Sequence, residues 1–487
     1  MRKAKKLYVL LGILVVLSVA VFAVSRHEEK KEEIRTSDEI ILTIPTDSVT
    51  AVSWTNESGE FAFSLNEDGS WVYADDEAFP ADPEKIASLL EQFEECGAAF
   101  TIENADDLGQ YGLDDPICTI TITTDDETYT VTLGDYSQMD SERYASIDDG
   151  NVYLLSHDPL DEFDAVLSDV ILHDTIPDLT DATELTFSGE DSYTAVREED
   201  SGKSICADDV YFVDDLPLDT SNVSSYLAAL DGLTLTDYVT YNATDDELAA
   251  YGLDDPTLTV TVTYPITDDD DEDDKDTEDS ETAEEGTITV HFGQNVEELA
   301  DAEESGDYDD VTCYARVGDS GIVYTISGTT YDKLVSASTD DLRHAAIFTA
   351  DFEEVTAMEI TLDDETYTFT KQAEEDEDDK KSDDDDEDEE DEVTWLWDET
   401  EFDASSIQSA LEAVKASEFT DDKAGSTMEL RVKLTLDNES FPSLTLTFYR
   451  NGGENCLATV DGETVAYVPR SQVVSLAEAI RAITLGE

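Results

Sequence analysis

The chain has 487 residues, 40% of them hydrophobic, with 21 Tyr and 17 Phe, which is length and apolar mass for about three ordinary domains. Its 122 acidic residues against 26 basic ones give a formal net charge of -96. That imbalance repels phosphate backbones and anionic lipid, so it excludes nucleic acid as a partner and favours cations or basic proteins.

At the N-terminus Arg2, Lys3, Lys5 and Lys6 precede an apolar run from Leu7 to Val24. As a helix this run is just long enough to cross a hydrocarbon core. Residues 1–25 therefore read as a cytoplasmic stub and transmembrane anchor, with residues 7–24 in the membrane, and residues 26–39 as a charged linker. The basic cluster before the run places the N-terminus inside and the bulk of the chain outside the cytoplasm. A signal peptide cleaved after Ala20 is the alternative, and it exports the same bulk.

Beyond the linker one pattern of elements occurs three times, over residues 40–175, 176–346 and 350–485. Each copy has an aromatic strand ahead of a helix, at Trp71-Val72-Tyr73, Tyr211-Phe212-Val213 and Trp395-Leu396-Trp397. A helix follows, N-capped by Asp82, Asp219 or Asp403. Its core stripe begins at Ile86, Val223 or Ile407 and continues at Leu90, Leu227 or Leu411. Next comes Tyr-Gly-Leu-Asp-Asp-Pro, at 111–116 and unaltered at 251–256, each leading into an alternating strand that aligns Cys118 with Leu258. The third copy lacks this element, and Ala424-Gly425-Ser426 stands near its place. A hairpin then closes each copy: Tyr144–Ile147 into Val152–Leu154, Tyr314–Val317 into Val323–Thr325, and Leu457–Val460 into Val465–Tyr467.

Two nearly continuous acidic tracts, residues 267–286 and 372–392, interrupt the second and third copies. Like charge at that density opposes burial, so both read as disordered, solvated inserts in hairpin connections, binding divalent cations only weakly.

In this order the Trp-containing strand, capped helix, Tyr-Gly-Leu-Asp-x-Pro, Leu133-Gly134, Tyr144-Ala145 and Val152-Tyr153-Leu154-Leu155 resemble the bacterial domain-of-unknown-function family DUF4340. The first copy carries the full set, the second most of it, and the third only its strand, helix and hairpin. The resemblance implies an exported single-pass protein, often encoded beside ABC-type transport systems of the gliding-motility kind. The family supplies no catalytic residues to carry over.

The candidate polar sites weigh against chemistry. Gly318-Asp319-Ser320-Gly321 resembles a protease nucleophile segment, but falls at the hairpin turn, where the other copies have no serine. His27, His157, His173, His291 and His344 are scattered and not equivalent between copies. Cys96, Cys118, Cys206, Cys313 and Cys456 form no CxxC pair, and read as inert thiols or at most one incidental bridge. Asp114-Asp115-Pro116 could ligate a cation, although a glycine C-cap followed by a strand-opening proline accounts for the element.

The expectation is thus an α+β protein: an N-terminal transmembrane helix followed by three tandem α+β repeats with antiparallel sheets. No catalytic, cofactor-binding or metal-binding residue is assigned, and no cofactor. The expected role is a non-enzymatic extracytoplasmic accessory or scaffold protein of the cell envelope, associated with an ABC transporter permease. The alternative is an autonomous surface-binding module for wall polymer, cations or basic proteins.

Overall fold

A computed structural model describes residues 39–103, 105, 107–138, 141–266, 284–372 and 394–485. The anchor expected at residues 7–24 and the linker up to residue 38 lie outside the described residues. Among the described residues, no helix is long and apolar enough to cross a membrane.

The chain builds three antiparallel sheets of nine strands each. The first contains β1 (Glu39–Leu42), β2 (Val49–Asn56), β3 (Gly59–Leu65), β4 (Trp71–Tyr73), β5 (Cys96–Ile102), β6 (Cys118–Thr124), β7 (Thr128–Ser137), β8 (Glu142–Ser146) and β9 (Val152–Leu155). The second contains β10 (Glu184–Gly189), β11 (Tyr193–Arg197), β12 (Tyr211–Val213), β13 (Leu216–Pro217), β14 (Tyr238–Thr240), β15 (Leu258–Pro265), β16 (Glu285–Gln294), β17 (Cys313–Val317) and β18 (Val323–Ile326). The third contains β19 (Val355–Leu362), β20 (Glu365–Lys371), β21 (Trp395–Trp397), β22 (Thr400–Phe402), β23 (Glu418–Phe419), β24 (Met428–Leu436), β25 (Ser443–Asn451), β26 (Asn455–Val460) and β27 (Glu463–Pro469).

Eight strands follow one order in all three sheets: β4-β3-β2-β6-β7-β8-β9-β5, then β12-β11-β10-β15-β16-β17-β18-β14, then β21-β20-β19-β24-β25-β26-β27-β23. The ninth strand is added at opposite ends. β1 joins beyond β5, whereas β13 and β22 join beyond β12 and β21. Register confirms the equivalence, since Cys118 pairs with Leu133 and Leu133 with Ala145. Leu258, Phe292 and Ala315 repeat this row, as do Leu430, Phe448 and Ala458.

Alternation decides which face is covered. Cys118, Ile120 and Ile122 of β6 are buried while the intervening threonines are only partly so, and Leu258, Val260 and Val262 repeat the pattern. Each fully buried Val, Leu, Ile or Phe contributes about 1.5–3 kcal/mol. In the first repeat the covered face centres on Trp54, stacked on Phe63 at 5.6 Å and edge-on to Phe163 at 5.8 Å. Its indole N–H donates to the Ala165 carbonyl at 3.0 Å, which satisfies the polar end of a buried ring.

The predicted helices lie at Pro83–Glu91, Thr220–Asp231 and Ser405–Glu412. Asp82 accepts from Glu84 N at 2.9 Å and Asp219 from Ser221 N at 2.9 Å. In the third copy the helix begins one residue later, with Ala404 at the cap position, yet Asp403 still accepts from Ser405 N at 2.8 Å. A second helix packs on the first in every repeat, at Leu160–Phe163, Gly328–Val335 and Arg470–Leu485. Sequence patterning did not place it. The last of these buries Val473, Leu476, Ala477 and Ile480 along one stripe.

The acidic insert of the second repeat needs a correction at its C-terminal end. Glu285 and Gly286 are ladder residues of β16, paired with Pro265 and Tyr264, and Ile266 N donates to Glu284 O at 2.7 Å. Aromatic cover over a glycine outweighs local charge here: a Cβ on Gly286 would lie 2.5 Å from the Tyr264 ring. In the third repeat Gln372 is likewise tied to the far side of its insert, donating from N to Thr394 O at 2.8 Å, and residues 267–283 and 373–392 lie outside the described residues. Replacing residues 267–283 by Asn-Gly is therefore expected to close a tight hairpin on Ile266 and Glu284, with a modest rise in melting temperature. Loop-closure entropy varies only logarithmically with length, so calorimetry should find a gain of about 2 kcal/mol at most.

The described residues group into two compact units. The first takes in residues up to Asp174 with Tyr238–Ala243 and Gly321–Val323, and the second takes in Thr175–Asp237, Thr244–Ser320 and Tyr324 onward.

Candidate functional site

The repeated Tyr-Gly-Leu-Asp-Asp-Pro element is a packed corner. Gly252 (φ 66°) ends the Asp245–Ala250 helix, with Leu253 N donating to Leu248 O at 2.8 Å and Gly252 N to Ala249 O at 3.3 Å. Gly112 (φ 72°) plays the same part after the short turn Leu108–Tyr111. Each corner sits against a second glycine on the neighbouring strand. A Cβ on Gly293 would lie 2.6 Å from both the Tyr251 and Gly252 carbonyl oxygens, and one on Gly134 would collide with the Tyr111 carbonyl oxygen. Tyr111 packs on Tyr144 at 5.0 Å between ring centres, and Tyr251 on Tyr314 at 4.7 Å. Leu113 and Leu253 are buried, while Asp114 and Asp115 face solvent.

The third repeat has lost the whole device together. By register Tyr449 stands where Gly134 and Gly293 stand, and Leu457 stands where Tyr144 and Tyr314 stand. A corner without its glycine socket has nowhere to dock.

Gly318-Asp319-Ser320-Gly321 forms the turn between β17 and β18, with Ser320 N donating to Val317 O at 2.9 Å and Arg316 Nε to Ser320 O at 2.7 Å. All five cysteines are free. Burial, then the Asp164 carboxylate, pushes the Cys118 thiol up to about 12, and burial alone takes Cys96 to about 11. Burial followed by Glu429 takes Cys456 to about 12. These thiols stay protonated, and therefore poorly nucleophilic, at neutral pH.

His27 lies outside the described residues. His291, on β16, has its Nδ1 2.9 Å from Thr259 Oγ1, and burial, with Arg316 nearby, lowers its affinity for a proton. Its folded pKa thus lies below the ordinary 6.5. Stability linked to it is complete above 6.5 and falls as pH drops through that value toward the folded one. In an NMR titration the His291 imidazole is expected to titrate below 6.5. An ordinary or elevated value would contradict the geometry.

One polar cluster was not anticipated from sequence. The connection between β11 and β12 brings Cys206 and Asp209 to one turn, closed by Asp209 N donating to Cys206 O at 3.2 Å. The segment after the short helix Thr339–Leu342 brings in His344, whose Nε2 lies 2.7 Å from Asp209 Oδ1. The Asp209 carboxylate is buried, with 1% of its side chain exposed, and its other oxygen accepts from Ser204 Oγ at 2.6 Å. On the far side of the ring, His344 Nδ1 lies 3.4 Å from Asp219 Oδ2, the helix-capping carboxylate. The hydrogen bond to Asp209 is the main cause raising the proton affinity of His344. Cys206 Sγ completes the group: one atom from each of Cys206, Asp209 and His344 lies within 4.8 Å of the others. Ser204 and His344 also line a cleft of about 280 Å³ whose apolar wall includes Ile205, Leu216, Phe441 and Leu444.

The chain is a tandem array of α+β repeats, defined by one eight-strand order and by a glycine corner in two of the three copies. It belongs to the DUF4340 family, whose model, described as a domain of unknown function, matches residues 71–211 and 213–433. No curated protein and no solved structure matches the chain.

Proposed function

We propose that this protein is a non-enzymatic accessory or scaffold protein of the cell envelope. It is held by the single anchor at residues 7–24, displayed outside the cytoplasm, and associated with the permease of an ABC-type transport system. The observation that carries this reading is what the repeats have in common. Strand order, the buried row of Leu133, Phe292 and Phe448, and the helix stripes recur, whereas among the described residues the polar cluster at Cys206, Asp209 and His344 belongs to the second repeat only. A unit multiplied for its packing serves as a platform or spacer. The outside placement rests on Arg2, Lys3, Lys5 and Lys6 ahead of the apolar run. The transporter association rests on the family resemblance.

The test is crosslinking of tagged full-length protein in intact cells, then mass spectrometry of the detergent-solubilised complex. Recovery of a multispanning permease with its ATPase is the expected result; recovery of the protein alone would overturn the association. The net charge of -96 favours a second reading, an autonomous module holding basic proteins, cations or wall polymer through its acidic surface. Binding of that kind weakens as salt screens the exposed charges, so retention on wall material unaffected by salt counts against it.

A further inference from the structure

We propose that Cys206, Asp209 and His344 form a binding site for one divalent transition-metal ion of the zinc class. The donor set is a thiol sulfur, a carboxylate oxygen and an imidazole nitrogen, gathered within 4.8 Å. Sulfur and nitrogen donors select a borderline-soft transition ion over calcium or magnesium, which take oxygen ligands. Three protein donors leave the fourth place of a tetrahedral ion open to water or an added ligand.

Three further features favour a metal over a bare ion pair. Asp219 Oδ2 faces the ring nitrogen that points away from the cluster, at 3.4 Å, where it can receive the imidazole proton on Nδ1 once a metal replaces the proton on Nε2. Ser204 holds the second oxygen of Asp209 at 2.6 Å and also accepts from Cys206 N at 3.1 Å, so one hydroxyl orients two of the three ligands. The third is the repeat comparison. The main-chain bond that Leu342 O accepts from Asp219 N matches the one that Val170 O accepts from Asp82 N. In that frame Leu172 occupies the place of His344, so the fold forms without the imidazole. A nearly fully buried carboxylate is costly, and a cation offsets it. Binding displaces the Cys206 thiol proton to solvent and breaks the bond from His344 Nε2–H to Asp209, leaving the imidazole proton on Nδ1 and the thiolate and Nε2 on the metal.

The test uses detergent-solubilised full-length protein with excess calcium present, so that exposed carboxylates are occupied by a cation that does not compete for thiolate. Cobalt(II) is added as the optical probe and zinc as the competitor. The expected result is a thiolate-to-cobalt charge-transfer band that saturates at one equivalent and is abolished by zinc. Cys206→Ser should remove the band, and His344→Ala should weaken binding about tenfold or more. Asp219→Asn keeps a capping side chain on its helix and should weaken binding about tenfold through loss of the outer carboxylate. Absence of the band in the unaltered protein overturns the assignment. So does a band that survives Cys206→Ser, or equal affinity in His344→Ala; these outcomes would leave only diffuse binding by the acidic surface.

Discussion

Replacing Gly293 by alanine is expected to destabilise the second repeat by about 3 kcal/mol or more, at the upper end of overpacking effects. The new methyl would lie 2.6 Å from two carbonyl oxygens, those of Tyr251 and Gly252. Neither oxygen is free to retreat. The corner is held by the bonds Leu253 N to Leu248 O and Gly252 N to Ala249 O, and Gly252 itself lies close against Gln294. Relief requires either undocking the corner, which exposes buried Leu253, or bending β16 at the row where Phe292 pairs with Leu258 and Ala315. The third repeat provides the internal control. Tyr449 occupies the same register with no corner against it, so Tyr449→Ala should cost only about 1 kcal/mol. Urea denaturation of both variants measures the difference. Equal, small losses would show that the two corners are not packing devices.

The second large effect concerns where the module begins. The family match starts at Trp71, in β4, and its first segment ends at Tyr211, in β12. The sheet starts earlier, because β2 and β3 lie between β6 and β4 in space. A fragment of residues 71–211 therefore loses β1, β2 and β3, and with them Trp54, Phe61 and Phe63, while carrying β10 and β11 without their sheet. It leaves β6 without its partner β2. Such an exposed apolar strand edge drives aggregation. A fragment of residues 39–174 retains all nine strands of the first sheet and both of its helices. We expect the longer-cored fragment to be soluble with a cooperative melt and the family-bounded one to aggregate or remain unfolded. Circular dichroism and size-exclusion chromatography decide the point, and cooperative folding of 71–211 would refute the sheet boundaries.

Elements with local signals were readable from the sequence. Asp82, Asp219 and Asp403 marked the three helix starts, Asp-Gly marked turns, and the period-2 rows of β6 and β15 announced half-buried strands. The second helix escaped because two of its copies are short and carry few apolar positions. The third copy, with Val473, Leu476, Ala477 and Ile480 at helical spacing, had a signal that patterning could have found. The glycine socket was half legible: Leu133-Gly134 stood in the pattern, but its role appears only when β7 is placed against the corner. The Cys206, Asp209 and His344 cluster was not legible. Asp209 and His344 are 135 residues apart, and neither shows a metal-binding spacing by itself. Its one available signal was negative: these residues have no counterpart in the other repeats.

The strands at the outer margins of the sheets bear on how an array of open sheets can avoid edge-to-edge pairing. Among the described residues every terminal strand is short: Glu39–Leu42, Trp71–Tyr73, Leu216–Pro217, Tyr238–Thr240, Thr400–Phe402 and Glu418–Phe419. Four residues is the longest, and one margin carries a proline, which has no N–H to offer a neighbour. An open sheet this wide would otherwise template its own copies, and three in one chain would multiply the hazard at high local concentration. Stunted margins leave an incoming strand too few main-chain partners to nucleate on. Tandem copying of an open sheet is thereby made compatible with several such sheets in one chain.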